Sequence, residues 1–514
     1  MKKFMPNEYG DYQTSLSLAN KVTRLLNNDQ ISYTHVIEPT FGDGNFIRSV
    51  IANISSVTSI SGFELQKEHY ERAMNAIVVP KEMQMSLKCE DIFGGNVRSL
   101  FRNGEHNLVI GNLPWVTVSQ LSSFESQNIP KKANINGLKG FDALTGKSNF
   151  DIAEYISLLL MHELENMEES STIAVLVKNI VCENILRNLP NSNLYPSHFD
   201  VYNIDAKKEF GVSADASLMV VRFPGRLEPH GVDYVASVHS IENASVSTSR
   251  YGWVDSKFVS DVAKYQKYKL YDKETNWDWR SGIKHDAGKV MELVPDHNFW
   301  LNGFKEKVVI EDKLIYPLVK SSDVRKQKIH TSFRKYLLVP QKKMGEDTSY
   351  IKVKYPLTWQ YLIEHSRQFS KRKSSIYKNK DQFSIFGIGY YSFKPYKVAI
   401  SGMYKSPFFS VLIPKDGKPI MVDDTVYFVG FDNFQDAIIF AAVLNSSISQ
   451  KLLGSLVFID SKRPYTKDIL RRIDVVGILK DLSLEELNRS SYRLISAQDV
   501  SNFIDKYSNV EALF

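Results

Sequence analysis

Apolar positions Leu16, Ala19, Val22, Leu25 and Leu26 recur at the three-to-four-residue spacing of one helix face and predict a helix leading into a short strand at His35–Glu38. A second strand is expected over Thr58–Glu64, followed by a helix from Gln66 to Ile77. Further strand-like runs are Met83–Cys89, Asn107–Gly111, Thr172–Lys178, Asp200–Ile204 and Ser217–Phe223. Between them, Phe150–Met167 carries Ile152, Tyr155, Ile156, Leu159, Leu160 and Leu164 in a helical stripe. Strands separated by helical patterns predict a parallel, doubly wound α/β sheet. Ligands of such a sheet bind at the loops that follow the C-terminal ends of its strands.

The pattern breaks in two places. Val116–Asn149 is rich in Ser, Asn, Gly and Lys without periodicity, and a connection of that length reads as a substrate-facing loop. After Phe223, the prolines and glycines of FPGRLEPHG and the small polar residues of IENASVSTSR predict a boundary near 225–250. Two domains are therefore expected, 1–224 and 250–514. The second holds strand-like runs at Tyr336–Pro340, Tyr396–Ile400 and Val426–Phe431 and a helix at Asp436–Leu444, which makes it mixed α and β.

A chain of 514 residues, 43% hydrophobic and 24% charged, has the size of two or three ordinary globular domains at roughly 150 residues each. Two cysteines, Cys89 and Cys182, exclude a disulfide framework and suit a reducing cytoplasm. The opening MKKFMPNEYGDY has a basic flank but no apolar core, so no signal peptide is expected. Tyr155–Met161, the most apolar stretch, is far short of the roughly 20 residues that span a bilayer, and no membrane partner is expected. Charge is unevenly placed. Residues 1–224 hold 20 Lys+Arg against 25 Asp+Glu, and residues 225–514 hold 44 against 33, giving −5 and +11. A basic second half is suited to a polyanion such as nucleic acid.

The segment IEPTFGDGNF (37–46) lies between a predicted strand and helix. Gly42 and Gly44 permit close approach of a ligand to the backbone. The Lys-Ser/Thr ending of a phosphate loop is missing, as is the GxGxxG fingerprint. Carboxylates at Glu38 and Asp43 repel phosphates but suit a cationic ligand bearing an amine. Glu64, ending the second strand, is placed to accept hydrogen bonds from ribose hydroxyls. Asp91 can accept an adenine amino proton while Ile92 or Phe93 packs on the ring. Four acids at successive strand ends fit S-adenosylmethionine, a cationic adenine nucleoside without phosphates.

GNLPW (111–115) follows the fourth strand. With it, the chain resembles the amino-methylating DNA methyltransferases that carry an Asn-Pro-Pro-aromatic motif, particularly the adenine-N6 enzymes of the gamma order. GDYQTS (10–15) matches the leading segment of that order, IEPTFGDGNF, GFEL and EDIF the cofactor motifs, and GNLPW the catalytic motif. GKSNFDIAEY (146–155) and EFGVSADASLMVVRF (209–223) match the segments that follow. The resemblance covers about 220 residues in order. WRSGIKHD (279–286) and DDTVYF (423–428) are similar to the recognition region of the same group, less specifically.

The resemblance implies a Rossmann-like methyltransferase sheet with a separate mixed α/β target-recognition domain. It also implies a cofactor site built from Tyr12, Thr14, Glu38, Pro39, Thr40, Gly42, Asp43, Gly44, Asn45, Phe46, Glu64, Leu65, Asp91, Ile92, Phe93 and Asn112. Catalysis falls to Asn112, Leu113, Pro114 and Trp115. An exocyclic amine is a poor nucleophile because its lone pair is delocalised into the ring. The Asn112 side-chain carbonyl and the Leu113 backbone carbonyl would each accept one of its N–H protons, aligning the nitrogen and raising its electron density. Pro114 stiffens the turn. Trp115 offers a stacking face, with Phe210 on the other side of a base flipped out of the duplex. No metal is required. Two positions depart from the family: Leu113 stands where proline is usual, and Ser15 where the leading segment commonly has proline.

In the second half, FSKRKSSIYKNK (369–380) is the densest basic stretch. Arg325, Lys326, Lys371, Arg372 and Lys373 are candidates for DNA contact. His285 and Asp286 in IKHD read as a structural hydrogen-bonding pair, and KRPYTKD (462–468) as a further basic element. No nuclease signature is found, so any cognate restriction endonuclease would be a separate chain. The expected activity is adenine-N6 methylation of double-stranded DNA. Methylation of cytosine N4, RNA or a protein glutamine by the same motif remains open, as does a nucleic-acid-binding subunit inactive without a partner.

Overall fold

The computed structural model describes residues 12–28, 31–117, 151–212, 215–226, 234–297, 299–324, 329–330, 333–491 and 494–511. The chain divides into two compact units, Met1–Ala263 and Lys264–Phe514.

In the first unit, helix α1 (Leu16–Asn27) starts where the Ser15 hydroxyl accepts the Leu18 N–H at 3.1 Å, and it buries Leu18, Ala19, Val22 and Leu26. It is followed by β1 (His35–Glu38), α2 (Asn45–Asn53), β2 (Ser59–Glu64), α3 (Lys67–Ala76), β3 (Gln84–Cys89) and β4 (Asn107–Asn112). Next come α4 (Ile152–Glu165), β5 (Ser171–Lys178), α5 (Asn179–Asn188), β6 (His198–Ile204), α6 (Ala206–Phe210) and β7 (Ala216–Phe223). The strands predicted from periodicity are all present, within two residues at each end.

Strands β3, β2, β1, β4 and β5 are parallel neighbours in that order. The chain leaves β1 toward β2 on one side, and β4 pairs on the other, so a crevice opens at the C-terminal ends of β1 and β4. Every residue of β1 is buried, as expected of a strand covered by helices on both faces.

Two expectations need correction. The sheet is not parallel throughout: β7 runs antiparallel to both β5 and β6. Nor does it end at Phe223, because β8 (Val235–Ser240), β9 (Asn243–Val254) and β10 (Lys257–Val259) extend it to ten strands. The unit boundary therefore falls after Ala263 instead of within 225–250. Most of β9 is polar and exposed, so it lacks the apolar run that marks a central strand.

The second unit contains a five-stranded sheet made, in order, of β11 (Arg280–Ser281), β21 (Val426–Phe431), β18 (Tyr396–Ser401), β19 (Phe409–Leu412) and β16 (Ile329–His330). A six-stranded sheet is made, in order, of β14 (Lys307–Val308), β13 (Phe299–Leu301), β12 (Glu292–Asp296), β17 (Lys335–Leu338), β15 (Ile315–Val319) and β20 (Met421–Val422). The two segments singled out in its sequence are neighbours: β11 (Arg280–Ser281) pairs antiparallel with β21 (Val426–Phe431), and Ile283 N–H donates to Val422 at 2.7 Å. The helix Phe434–Leu444 is buried all round from Asp436 to Leu444 and forms the apolar centre of the C-terminal helices. No single described helix is long and apolar enough to cross a membrane.

Candidate active site

An open cleft, with about 930 Å³ of space including its solvent-open mouth, lies at the crevice beside β1 and β4. The turn after β1 supplies Glu38, Pro39, Thr40 and Gly42, and the start of α2 supplies Asn45 and Phe46. Glu64 and Leu65 come from the end of β2, and Asp91, Ile92 and Phe93 from the turn after β3. Tyr12 and Thr14 cover one side, and Asn112 and Pro114 close the other. Fourteen of the expected cofactor residues are thus gathered around one space from five segments.

The remaining two, Asp43 and Gly44, do not line it. The Asp43 carboxylate turns to α3, where it accepts hydrogen bonds from His69 Nδ1 at 2.7 Å and Arg72 Nε at 2.8 Å. Burial alone would raise its pKa, but these two partners pull it below the usual carboxylate range. Gly44, at φ +76°, faces α3, and a Cβ there would lie 2.9 Å from Ile77. Asp43 and Gly44 therefore seat the loop on α3, leaving Glu38 to face a cation.

Glu38 is 2% exposed, and its Oε2 has no hydrogen-bond partner. Burial pushes its carboxyl well above the ordinary range, with the Glu64 charge adding to the shift. Glu64 Oε2 accepts Gly42 N–H at 2.8 Å and its Oε1 accepts Gln66 N–H at 2.7 Å, which fixes the carboxylate at the cavity wall. Asp91 is similarly set by Phe93 N–H, at 3.0 Å. Thr14 Oγ1 is buried without a partner, while the Thr14 carbonyl accepts Asn45 Nδ2 at 2.9 Å.

At the other end, Asn112 Nδ2 donates to the Tyr12 carbonyl at 2.5 Å, and Asn112 Oδ1 is buried without a partner. The following turn is held by the Leu176 carbonyl of β5, which accepts Leu113 N–H at 3.3 Å and Trp115 Nε1 at 3.4 Å. Three buried acceptor oxygens, on Thr14, Glu38 and Asn112, thus line the cavity unsatisfied. Buried polar atoms without partners are rare and mark places where a ligand completes the bonding. They suit a ligand carrying an ammonium or sulfonium cation and amine donors, which are features of S-adenosylmethionine.

Trp115 differs from expectation. It is buried, and its ring meets Phe210 edge to face at 5.0 Å and Tyr12 at 5.5 Å. The rings of Trp115 and Phe210 touch each other, so this arrangement holds no slot between them, and a base enters only if they part.

Sequence reasoning missed Gln13, Phe41, Gln66, Glu90, Val116, Ile152 and Ile156 at the cavity wall. Ile152 and Ile156 are one turn apart on α4, so helical spacing carried their signal. Among the earlier candidates, Gly10 and Asp11, most of the 116–149 connection, and Arg325 and Lys326 lie outside the described residues.

In the second unit, Lys371 and Lys373 are exposed. Arg372 is half-buried and bonded within its own unit. Its Nη1 donates to Ser384 O and its Nη2 to Gln382 O, both at 2.7 Å, and the guanidinium lies 3.7 Å from the Tyr377 ring centroid. His285 Nδ1 accepts Ala287 N–H at 3.2 Å, and its Nε2 is 3.6 Å from Glu292. Among the described residues no cluster of three or more His, Cys, Asp or Glu is placed to hold a metal ion.

No family model matches the chain. Among solved structures, the type IIL restriction-modification enzyme MmeI in complex with DNA shares the fold. The TM-score is 0.53 at 11% identity, covering 96% of this chain and 72% of that one. The fold is Rossmann-like, a mixed α/β architecture built on large sheets. The type II methyltransferase M.NspV of Nostoc sp. (strain ATCC 29411 / PCC 7524) is 37% identical over 480 residues, 92% of this chain and 97% of the relative. At that identity and coverage, the chain belongs to the type II methyltransferases, the modification enzymes of restriction–modification systems.

Proposed function

We propose that this enzyme methylates the N6 amine of adenine at a specific site in double-stranded DNA, after flipping the base into the first unit. The observation that carries the reading is Asn112. Its amide nitrogen is committed to Tyr12, so its carbonyl oxygen is left as a fixed, buried acceptor at the edge of the cofactor cavity. An acceptor held there, beside the Leu113 carbonyl, draws on both N–H groups of an exocyclic amine and directs the nitrogen lone pair at the cavity.

Bound S-adenosylmethionine supplies a methyl group on a sulfonium, an excellent leaving group. The chain's own part is positioning. Glu38 faces the cationic portion of the cofactor, Glu64 and Asp91 face its nucleoside, and Ile92 and Phe93 pack on the ring. Pro114 limits the motion of the turn that carries Asn112 and Leu113. Trp115 and Phe210 part to take the base between aromatic faces, the usual way an unstacked base is held.

The second unit reads the target sequence, with Lys371 and Lys373 contacting phosphates and Arg325 and Lys326 as further candidates. We place the enzyme in a reducing cytoplasm, in keeping with its free cysteines, alongside a separately encoded endonuclease. Single-molecule sequencing of DNA from a methylation-free host expressing the chain tests the reading. N6-methyladenine in one discrete sequence motif is the expected result. N4-methylcytosine in such a motif would keep the cofactor site and overturn the choice of base, and unmodified DNA alongside cofactor-binding protein would overturn the DNA substrate.

A further inference from the structure

The catalytic turn leaves the cavity through Val116 and Thr117, and what fixes this exit is an ion pair between Asp151, in the matched segment 146–155, and Lys178, which lies in none of the recognised motifs. Val116 lines the cavity, and its carbonyl accepts Ile152 N–H at 2.9 Å. Thr117 forms an isolated antiparallel bridge with Asp151. Asp151 also caps α4, accepting Ala153 N–H at 3.1 Å through Oδ1. Its other oxygen, Oδ2, accepts Lys178 Nζ at 2.7 Å.

Lys178 is the last residue of β5, two positions beyond Leu176, the residue whose carbonyl holds Leu113 and Trp115. The turn 112–117 is therefore secured to β5 twice: at its start by the Leu176 carbonyl, and at its exit through Val116, the cap of α4, Asp151 and Lys178. The Asp151 side chain is 9% exposed and that of Lys178 23%. Burial raises the carboxyl pKa of Asp151, and the adjacent ammonium offsets this only in part. Such a carboxylate keeps its place only while it is paired, because an unpaired buried charge is costly.

We propose that Lys178 and Asp151 are positioning residues for methyl transfer. Their ion pair fixes the exit of the catalytic turn and thereby the direction of the Asn112 and Leu113 oxygens that receive the amine. Neither residue needs to touch cofactor or base. A displacement of about 1 Å at the reacting atoms costs on the order of 100-fold in rate, so a pair outside the chemistry can be decisive.

The inference rests on the amino-methyltransferase reading above, and its test separates the two. Lys178→Met and Lys178→Arg are compared with wild type by single-turnover methylation, by equilibrium binding of S-adenosylmethionine, and by hydrogen exchange of the Leu113, Trp115, Val116 and Thr117 amides in the cofactor-bound protein. For Lys178→Met, the transfer rate is expected to fall about 10- to 100-fold. Cofactor affinity and the KM for DNA should stay within about threefold, and exchange at 113–117 should rise. Lys178→Arg, which keeps the charge and the donor, should restore both rate and protection. Asp151→Asn, which keeps the helix cap, should match Lys178→Met, and the double variant should be no slower than either single one, because one interaction is removed in each case.

Wild-type exchange and rate in Lys178→Met would overturn the proposal. So would a Lys178→Arg variant as impaired as Lys178→Met, or a rate loss that only tracks the fraction of protein able to bind cofactor. Modification of DNA by the wild type upholds the proposed activity whatever the variants do, so an unchanged variant counts against the ion pair alone. The exchange readout reports on the ion pair without reference to any DNA substrate.

Discussion

Asn112 donates its side-chain amide to the main-chain carbonyl of Tyr12, 100 residues earlier in the chain, at 2.5 Å. This bond decides which end of the amide faces the cavity. With the nitrogen held on Tyr12, the buried oxygen is left as an unpaired acceptor, and an acceptor is what an amine nucleophile needs. The same short stretch touches the cofactor loop, where Gln13 Oε1 accepts Asp43 N–H at 3.0 Å and the Thr14 carbonyl accepts Asn45 Nδ2. Residues 12–14 therefore join the Asp43–Asn45 side of the cavity to Asn112.

Replacing Asn112 with alanine removes the acceptor together with the bond to the Tyr12 carbonyl. By analogy with the loss of one charge-stabilising group from an active site, methyl transfer should fall about 10²- to 10³-fold. S-adenosylmethionine binding should survive, within about threefold on calorimetry. A wild-type transfer rate in Asn112→Ala would remove it from the chemistry.

Glu38 makes cofactor binding depend on pH. Its carboxyl is raised by burial and is neutral at low pH, whereas a cationic ligand favours the ionised form. Binding should expel a proton, and affinity should improve by up to about tenfold per pH unit until the pH passes the raised pKa. Calorimetry in buffers of different ionisation heat measures the released proton directly. The same residue acts on stability with the opposite preference. Because its folded pKa lies above its unfolded one, it favours folding below the unfolded value and loses that contribution as pH rises through the folded one. Glu38→Gln should therefore melt higher than wild type at neutral pH while binding cofactor poorly.

The contact between Phe210 and Trp115 predicts a variant that separates base capture from cofactor binding. Phe210→Ala removes the ring that meets Trp115 at 5.0 Å. Loss of stacking on a flipped base is worth about 1–3 kcal/mol, which should appear as a higher KM for DNA. Cofactor affinity should not change. Fluorescence of 2-aminopurine at the target position would report whether the base still leaves the stack.

Neighbouring cations in 371–373 should behave in opposite ways. Arg372→Ala takes away donors to the carbonyls of Phe369, Gln382 and Ser384 and should destabilise the second unit by about 2–3 kcal/mol in a denaturant melt. Lys371→Ala with Lys373→Ala should leave that melt unchanged. If both lysines contact phosphates, the double variant should flatten the salt dependence of DNA binding by about two units of log–log slope. An unchanged slope would place the phosphate contacts elsewhere.

Much of the first unit was legible before its structure was known, for a physical reason. A sheet covered by helices on both faces favours apolar strands and striped helices, and the apolar centres of His35–Glu38 and Asn107–Asn112 and the stripe of Ile152–Glu165 carry those patterns. The acids at strand ends and the Asn112–Trp115 motif could likewise be picked out, because a ligand at the C-terminal edge of such a sheet must be met by the residues that directly follow its strands. Direction and partnership were not legible. Nothing in Ala216–Phe223 says that it runs antiparallel to its neighbours, and β9 resembles a loop because most of its residues are polar and exposed, with no apolar run to mark a strand.

Tertiary structure alone decided where each side chain points. Glu38 and Asp43 are both acids in one loop, but α3 brings His69 and Arg72 to Asp43 and leaves Glu38 buried with an open oxygen. Arg372 and Lys373 are adjacent cations, but only Arg372 has carbonyl groups within reach of its guanidinium. Lys178 and Asp151, 27 residues apart in sequence, meet because α4 packs back beside β5. Periodicity and motif spacing record what each segment must bury or follow; which partner takes up a given charge depends on elements distant in sequence, and is fixed only when they pack.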